Sequence, residues 1–205
     1  MSKLVYGLMS RGYLKSDQII DAFSEISRME FVPKELELEA EEDVALPIGY
    51  GQTISQPLVV AFMLELLDPQ SGQKIMDVGS GSGWTTALLA HIVGNDGKVI
   101  GIERIKELKE FGEKNADKFG FVKKNIARFL EVDGSKGLPE EAPFDRILIS
   151  AVSYEIPETL KKQLKVGGKL VMPIRNSIVY LEKKGVDEFV TEEFPGFYFV
   201  PLVVG

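Results

Sequence analysis

The sequence contains no cysteine and only one histidine among its 205 residues. Without cysteine the chain can form neither a disulfide framework nor a thiolate nucleophile, and it cannot bind zinc through cysteine. A single histidine cannot form a histidine cluster around a metal ion. We therefore expect no metal ion at the functional site.

Positive charge is outnumbered by negative charge, and long apolar runs are missing. Lysine and arginine total 24 against 31 aspartate and glutamate residues, a formal net charge of −7. This excess of negative charge repels a phosphate backbone and argues against nucleic acid as the main partner. No segment approaches the roughly 18 apolar residues of a membrane span, and the N-terminus lacks the apolar run of a signal peptide. We expect a cytoplasmic protein that does not act at a membrane.

Five short apolar runs of strand length are present, and they are "KIMDV", "KVIGIE", "ARFLEV", "DRILISA" and "KLVMPI". Helices predicted at 84–93, 104–119 and 157–165 lie between these runs, the last one stopped by the glycines of "KVGGKL". Apolar strands that alternate with helices predict a doubly wound, mostly parallel α/β sheet with helices on both faces. The runs "SIVYLEKK", "DEFVTEE" and "FYFVPLVV" predict antiparallel strands at the C-terminal end.

The N-terminal quarter has a different pattern. Residues 1–45 are predicted to be helical and amphipathic. Ser16 is predicted to cap a helix whose one apolar face consists of Ile19, Ile20, Phe23 and Ile26. An uncharged stretch, "LPIGYGQTISQP" at 46–57, leads into a helix that begins with Pro57. We predict a single domain, 1–205, in which 1–56 form a helical cover and a substrate lip and 57–205 form the core.

A glycine loop follows the first strand in "IMDVGSGSGW". Asp77 ends the strand, and Gly79, Gly81 and Gly83 precede a helix that begins near Trp84. The glycines let the backbone turn and approach a ligand, and the helix start offers unpaired N–H groups. The dinucleotide-binding pattern would require a glycine at position 84, where this chain has tryptophan. The spacing found here therefore suits a nucleoside without pyrophosphate. An acid at the head of the loop favours a cationic ligand, although a purely structural turn remains an alternative.

Two more acids follow strands. Glu103 ends "VIGIE", where a carboxylate can accept hydrogen bonds from the hydroxyls of a ribose, and Asp133 follows the next strand, where it can meet the amino group of an adenine. Each has an ordinary alternative, Glu103 as a helix-start acid and Asp133 as a turn residue. All three acids are expected at the carboxyl edge of the sheet, where open parallel sheets bind ligands.

These residues resemble a known class of enzymes. The motifs "DVGSGSGW", "GIER", "VDG" and "ISA" are similar to those of Rossmann-like methyltransferases that use S-adenosylmethionine. The stretches "FVP", "LPIGYGQTISQP", "APFDRILISA", "EIP", "QLKVGGKLVMPI" and "FYFVPL" resemble the protein-L-isoaspartate O-methyltransferase family from about residue 28 onward. The resemblance implies a seven-stranded sheet and a set of cofactor-binding residues, namely Asp77, Gly79, Ser80, Gly81, Gly83, Glu103, Asp133 and Gly134.

The resemblance also implies an activity. The family methylates the free carboxylate of isoaspartyl residues in damaged proteins and peptides, and the ester closes to a succinimide that returns part of the material to normal aspartate. Ser55 corresponds to the active-site serine of the family, and Thr53 and Ile54 to the substrate wall; without the family, Ser55 could be a simple helix cap. An uncharged lip suits substrates of any sequence. We expect the enzyme to act as a monomer.

Three positions depart from the family pattern. Asp77 stands where glutamate is more frequent, Trp84 where tyrosine is, and Arg175 where glycine usually follows "MPI". The Arg175 side chain could pair with the substrate carboxylate, but we favour a pairing with a surface acid such as Glu182. Two other functions stay open, a methyltransferase for a different substrate and a non-catalytic cofactor-binding module that docks partner proteins.

Overall fold

The computed structural model describes residues 1–197, and its N-terminal part is helical. Helices α1 (Lys3–Ser10) and α2 (Asp17–Glu25) are followed by two 3-10 segments, Arg28–Phe31 and Lys34–Glu39. The face that the sequence predicts is present, because Ile19, Phe23 and Ile26 are buried and Ile20 is partly buried. These side chains share one hydrophobic cluster with the sheet, so the N-terminal helices pack on the core.

Ser16 precedes α2 as predicted, but its side chain does not cap the helix. Its hydroxyl donates to the Glu65 carboxylate at 2.7 Å, and the main-chain N–H groups of Lys15 and Ser16 donate to the same carboxylate at 2.8 and 2.9 Å. The prediction of a side-chain cap is therefore wrong. The Ser16 hydroxyl forms a stronger hydrogen bond when it donates to a charged carboxylate on a neighbouring helix than when it accepts from a main-chain N–H group.

The uncharged lip is an antiparallel hairpin rather than a plain loop. Strands β1 (Leu46–Gly49) and β2 (Gln52–Ile54) pair with Leu46 opposite Ile54. Tyr50 and Gly51 connect them, both with positive φ (54° and 71°), which matches the twist of a tight hairpin. Leu46, Ile48 and Ile54 are buried. The lip therefore has a fixed register against the core.

The main sheet has seven strands in the order β5-β4-β3-β6-β7-β8-β9. The five strands from β3 to β7 pair in parallel, and β8 and β9 are antiparallel. Their bounds are β3 Lys74–Val78, β4 Lys98–Glu103, β5 Ala127–Glu131, β6 Phe144–Ile149, β7 Leu164–Ile174, β8 Ser177–Lys183 and β9 Phe189–Pro195. The prediction of a mostly parallel sheet with antiparallel strands at the C-terminal end is confirmed.

Helices cover both faces of this sheet, as predicted. The remaining helices are α3 Pro57–Leu67, α4 Trp84–Val93, α5 Lys106–Asp117 and α6 Glu158–Lys162. Neighbouring residues of a strand point to opposite faces, so Ile75 joins the cluster of α1 to α5 whereas Met76 joins the cluster of α6. Within residues 1–197, no helix is long and apolar enough to cross a membrane.

The glycines of "KVGGKL" do not end the last helix, and this prediction is wrong. Helix α6 stops at Lys162, and β7 already begins at Leu164 and runs through both glycines. Leu164 pairs with Phe144 but Lys169 pairs with Arg146, so β7 has extra residues that bulge out of the ladder. Gly167 has a φ of +80° in this bulge. The two glycines therefore form part of the bulge in β7 and do not end the helix.

The position of Arg175 in the turn between β7 and β8 tests its predicted pairing with Glu182. Arg175 is exposed and has a φ of +53° in this turn. Glu182 lies opposite Lys169, five residues along β8 from Ser177, and it pairs with Lys184 at 2.7 Å. Five residues of strand span roughly 17 Å, so the predicted Arg175–Glu182 pair is wrong. The strand predicted for "FYFVPLVV" falls, apart from Phe197, outside the described residues.

Candidate active site

The glycine loop joins β3 to α4 and has the backbone that its sequence predicts. Gly79, Gly81 and Gly83 have φ values of +77°, +50° and +85°, a region that favours glycine. Gly83 also lies against Gly112 of α5, where an added Cβ would be 2.6 Å from the Gly112 carbonyl oxygen. The loop therefore needs glycine both for its turn and for its packing.

Asp77 lies behind this loop and is fully buried. Its Oδ2 accepts hydrogen bonds from the hydroxyls of Thr85 (2.7 Å) and Thr86 (2.6 Å) in the first turn of α4. Burial raises the pKa of Asp77 from 3.8 to about 6, an effect that the two hydroxyl hydrogen bonds partly offset. The carboxyl group thus ties the end of β3 to the start of α4.

Glu103 lies at the end of β4 and connects two loops. Its Oε1 accepts from the main-chain N–H groups of Arg104 (2.8 Å) and Ile105 (3.0 Å), and its Oε2 accepts from Gly81 N–H at 3.1 Å. Three main-chain donors fix this buried carboxylate beside the glycine loop. Glu103 also lines the cavity described below, so its oxygens lie where a bound nucleoside can reach them.

Asp133 and Gly134 follow β5 at the same edge of the sheet. The Asp133 Oδ1 accepts from the main chain (3.0 Å) and the hydroxyl (2.8 Å) of Ser135, and its Oδ2 lies 3.7 Å from the Lys136 ammonium. An added Cβ on Gly134 would be 2.4 Å from Cγ1 of Val78. Asp133 therefore shapes the turn, and Gly134 lets the turn lie against β3.

One cavity of about 610 Å³ joins this edge to the lip. Of the residues predicted for the site, eight line it, namely Thr53, Ile54, Ser55, Gly79, Ser80, Gly81, Glu103 and Gly134. In the described part of the chain, Asp77, Gly83 and Asp133 are not among the lining residues. The structure thus brings the lip and the glycine loop together around one space, with Asp77 and Gly83 behind its wall.

The cavity fits a nucleoside cofactor by size and by donor set. Its volume lies within the roughly 300–1,000 Å³ of small-molecule sites. The buried hydroxyl of Ser80, a lining residue, has no hydrogen-bond partner among residues 1–197, so it can serve a ligand. A Cβ at Gly79 would meet only Ser150, at 4.0 Å, so the backbone there is open to close approach.

Sequence patterns missed several residues of this site. Other lining residues come from the lip, from α3 and from the ends of β4 and β6, and they include Ile48, Gln52, Gln56, Val59, Arg104, Ile105, Ser150 and Ala151. Gln52, Gln56 and Arg104 adjoin predicted site residues, and Ser150 and Ala151 lie in the motif "ISA" that carries the family resemblance, so these were the available signals. Arg28 was also missed; it is 2% exposed and donates to main-chain carbonyls of the lip. The only sequence feature that could have pointed to Arg28 was a positive charge between the apolar residues Ile26 and Phe31.

A doubly wound sheet, a glycine loop and an acid at the end of the next strand are typical of folds that bind a nucleoside cofactor. Comparison with known proteins shows that this one is a Rossmann-like methyltransferase that uses S-adenosylmethionine. The family model for protein-L-isoaspartate(D-aspartate) O-methyltransferase matches residues 1–205. The chain belongs to this family.

Relatives agree with this assignment. The chain is 44% identical to the protein-L-isoaspartate O-methyltransferase of Methanopyrus kandleri over 98% of its own length and 90% of that protein. It is also 44% identical to the enzyme of the same name from Dictyoglomus thermophilum, with 98% and 89% covered. The fold is also similar to that of a protein-L-isoaspartate O-methyltransferase from Plasmodium falciparum in complex with S-adenosyl-L-homocysteine. The two structures superpose with a TM-score of 0.87 at 26% sequence identity, and the match covers 98% of this chain and 96% of that one.

Proposed function

We propose that this chain repairs proteins by transferring the methyl group of S-adenosylmethionine to the free carboxylate of L-isoaspartyl residues, and that Ser55 orients that carboxylate. The observation that carries the proposal is the continuity of the cavity from Ser80 and Glu103 to Ser55. Donor and acceptor of a methyl group must share one space for direct transfer. The family membership supports the substrate class.

The site residues would bind the cofactor from three sides. Glu103 would accept from the ribose hydroxyls, and the backbone at Gly79 and Gly81 would lie against the rest of the nucleoside. Gly134 lines the cavity, and Asp133 beside it would meet the adenine amino group. Asp77 and Gly83 would act from behind the wall by holding the loop in shape. When bound, S-adenosylmethionine supplies a methyl group on a positively charged sulfur.

The lip residues would align the substrate. A carboxylate with a pKa of about 4 is already ionised near neutral pH, so no residue has to remove a proton. No protein nucleophile is needed either, which is consistent with the absence of cysteine. Ser55 can donate a hydrogen bond to the carboxylate, while Thr53 and Ile54 flank the peptide and help to exclude water. Alignment of this kind contributes up to roughly 7–11 kcal/mol in favourable cases.

Three further statements belong to this proposal. Residues 1–56 would act as cover and lip, and 57–205 as the cofactor-binding core of one domain, since the N-terminal helices share a hydrophobic cluster with the sheet. A monomer would suffice, because the lip and the glycine loop, which the reaction needs together, line one cavity within the same chain. A cysteine-free chain is suited to the cytoplasm, where we place the enzyme. Light scattering and cell fractionation would test the last two statements.

The test is transfer of labelled methyl groups to an isoaspartyl peptide and to its aspartyl twin of the same sequence. We expect labelling of the isoaspartyl peptide alone, and the label should be lost in alkali because it is held as an ester. Equal labelling of both peptides, or of neither, would contradict the proposal. Cofactor binding without transfer to either peptide would favour a methyltransferase for another substrate.

A further inference from the structure

Arg28 is a buried arginine that no step of the proposed reaction uses. It begins the 3-10 segment after α2, and 2% of its surface is exposed. Its guanidinium donates to the carbonyls of Ala40 (3.1 Å), Glu42 (3.3 Å) and Val44 (2.8 Å), which precede the lip. It also donates to the Ser55 carbonyl at 3.1 Å, with a longer contact to Ile54 at 3.5 Å. One side chain therefore holds both ends of the lip hairpin.

This arrangement requires a guanidinium. Burial lowers the pKa of Arg28 to about 10, an effect that the nearby charges of Asp43 and Glu41 partly offset, so the group stays charged at neutral pH. Carbonyls that lie in several directions need a planar donor with several N–H groups. A lysine ammonium has three donors at a single point and cannot reach the same set. The site is thus specific for arginine and not only for positive charge.

Arg28 also contacts the cofactor side of the cavity. Its guanidinium carbon lies 5.4 Å from the ring centroid of Trp84, a distance typical of a cation–π contact. Trp84 is the first residue of α4, directly after the glycine loop, and it lines the cavity. Its indole N–H points to the Ile26 carbonyl at 3.4 Å, two residues before Arg28. Arg28 therefore lies between the Ser55 backbone and the helix start behind the glycine loop.

We propose that Arg28 is a positioning residue that fixes the Ser55 backbone relative to the glycine loop, so that the Ser55 hydroxyl meets the substrate carboxylate in line with the methyl group. This inference rests on the proposed function of Ser55. Loss of the Arg28 guanidinium should misalign the bound substrate more than it weakens binding of the cofactor. The chemical step should therefore suffer while the cofactor site keeps its affinity.

The experiment compares Arg28→Lys with Arg11→Lys as a matched control. Arg11 contacts the same acidic segment through an exposed pair with Asp43 at 2.9 Å, but it donates to no lip carbonyl among the described residues. For Arg28→Lys we expect kcat toward an isoaspartyl peptide to fall about tenfold or more, since a charge-assisted hydrogen bond is lost. The KM for the peptide and the calorimetric Kd for S-adenosylhomocysteine should stay within about threefold of wild type. Arg11→Lys should leave all three values within about twofold.

A rescue measurement separates positioning from general support of the fold. In Arg28→Ala, added guanidinium at concentrations far below denaturing ones should restore part of kcat, whereas methylammonium should not. If Arg28→Ala does not fold, the Arg28→Lys comparison decides alone. An unchanged kcat in Arg28→Lys, or equal losses in kcat and cofactor affinity, would overturn the inference while wild-type activity keeps the proposed function intact. An inactive wild type would overturn the proposed function, and the inference with it.

Discussion

The two walls of the cavity are built in different ways. The glycine loop is held by nearby side chains, with Asp77 bonded to residues of the helix that follows it and Glu103 bonded to Gly81. The lip is held by Arg28, 27 positions before Ser55, through main-chain carbonyls. The glycine-loop wall is thus held by carboxylates at the ends of two strands of the sheet, whereas the lip wall depends on an arginine of the N-terminal helical part. Substitutions on the two walls should therefore fail in different ways.

The largest effect should follow from Gly83→Ala, matched with Gly49→Ala in the lip. Both glycines have positive φ, +85° and +91°, but an added Cβ at Gly83 would meet Gly112 backbone atoms at 2.6 and 2.8 Å, while nothing lies within 4 Å at Gly49. Backbone strain alone costs about 1–2 kcal/mol, and overpacking adds about 1–3 kcal/mol at Gly83. Urea unfolding should show the larger loss for Gly83→Ala. Equal losses would mean that the loop does not need the close approach to α5.

The next effect concerns the pH dependence of stability. The pKa of Asp77 is raised from 3.8 to about 6 in the folded chain, so its contribution to stability is fully present below pH 3.8 and is lost as the pH rises through about 6. Asp77→Asn cannot titrate but can still accept the threonine hydrogen bonds. Its unfolding free energy relative to wild type should therefore rise by about 2 kcal/mol between about pH 4.5 and pH 7.5.

Urea unfolding of the cofactor-free chain at these two pH values measures this difference. Ser55→Ala is the control, because it removes no ionisable group and its difference from wild type should not vary with pH. A constant difference for Asp77→Asn would show that Asp77 keeps an ordinary pKa in the folded chain.

A pair of substitutions then separates the two walls in function. Glu103→Gln should weaken calorimetric binding of S-adenosylhomocysteine about tenfold, because it removes a charged acceptor. Ser55→Ala should leave that Kd within about twofold but lower kcat toward an isoaspartyl peptide about tenfold, since one hydrogen bond to the carboxylate is lost. The comparison fails if Ser55→Ala weakens cofactor binding or leaves the rate unchanged.

The smallest effect is expected for Arg175→Gly. Arg175 has a φ of +53°, so glycine should relieve strain and raise the free energy of unfolding by up to about 1 kcal/mol. Thermal unfolding measures this change. The KM for an isoaspartyl peptide should stay the same. A higher KM would instead support the alternative in which Arg175 pairs with the substrate carboxylate.

The difference between contacts that are near and distant in the sequence also explains which features of the fold and site could be predicted. The parallel strands, Pro57 at a helix start and the glycine loop depend on short-range patterns, and these predictions are confirmed. The glycine preference after "MPI" has the same kind of cause, since Arg175 adopts a left-handed φ. Local periodicity thus accounts for the cofactor side of the molecule.

The errors arose where a distant partner or an irregular strand decided the structure. Ser16 bonds Glu65, which lies 49 positions away, and "KVGGKL" forms a bulge whose register depends on β6. Arg28 escaped notice because its partners are carbonyls, which every residue carries and no motif marks. The resemblance to the family predicts a role for Ser55, but only the structure shows which side chain holds its backbone in place.

The most direct test of the two-wall account is a crystal structure of the chain with S-adenosylhomocysteine and an isoaspartyl peptide. We predict the ribose on Glu103, the cofactor sulfur beside the glycine loop, and the isoaspartyl carboxylate hydrogen-bonded to Ser55 and facing that sulfur within the same cavity. A cofactor that binds away from Glu103, or a peptide carboxylate bound outside the lip, would contradict it.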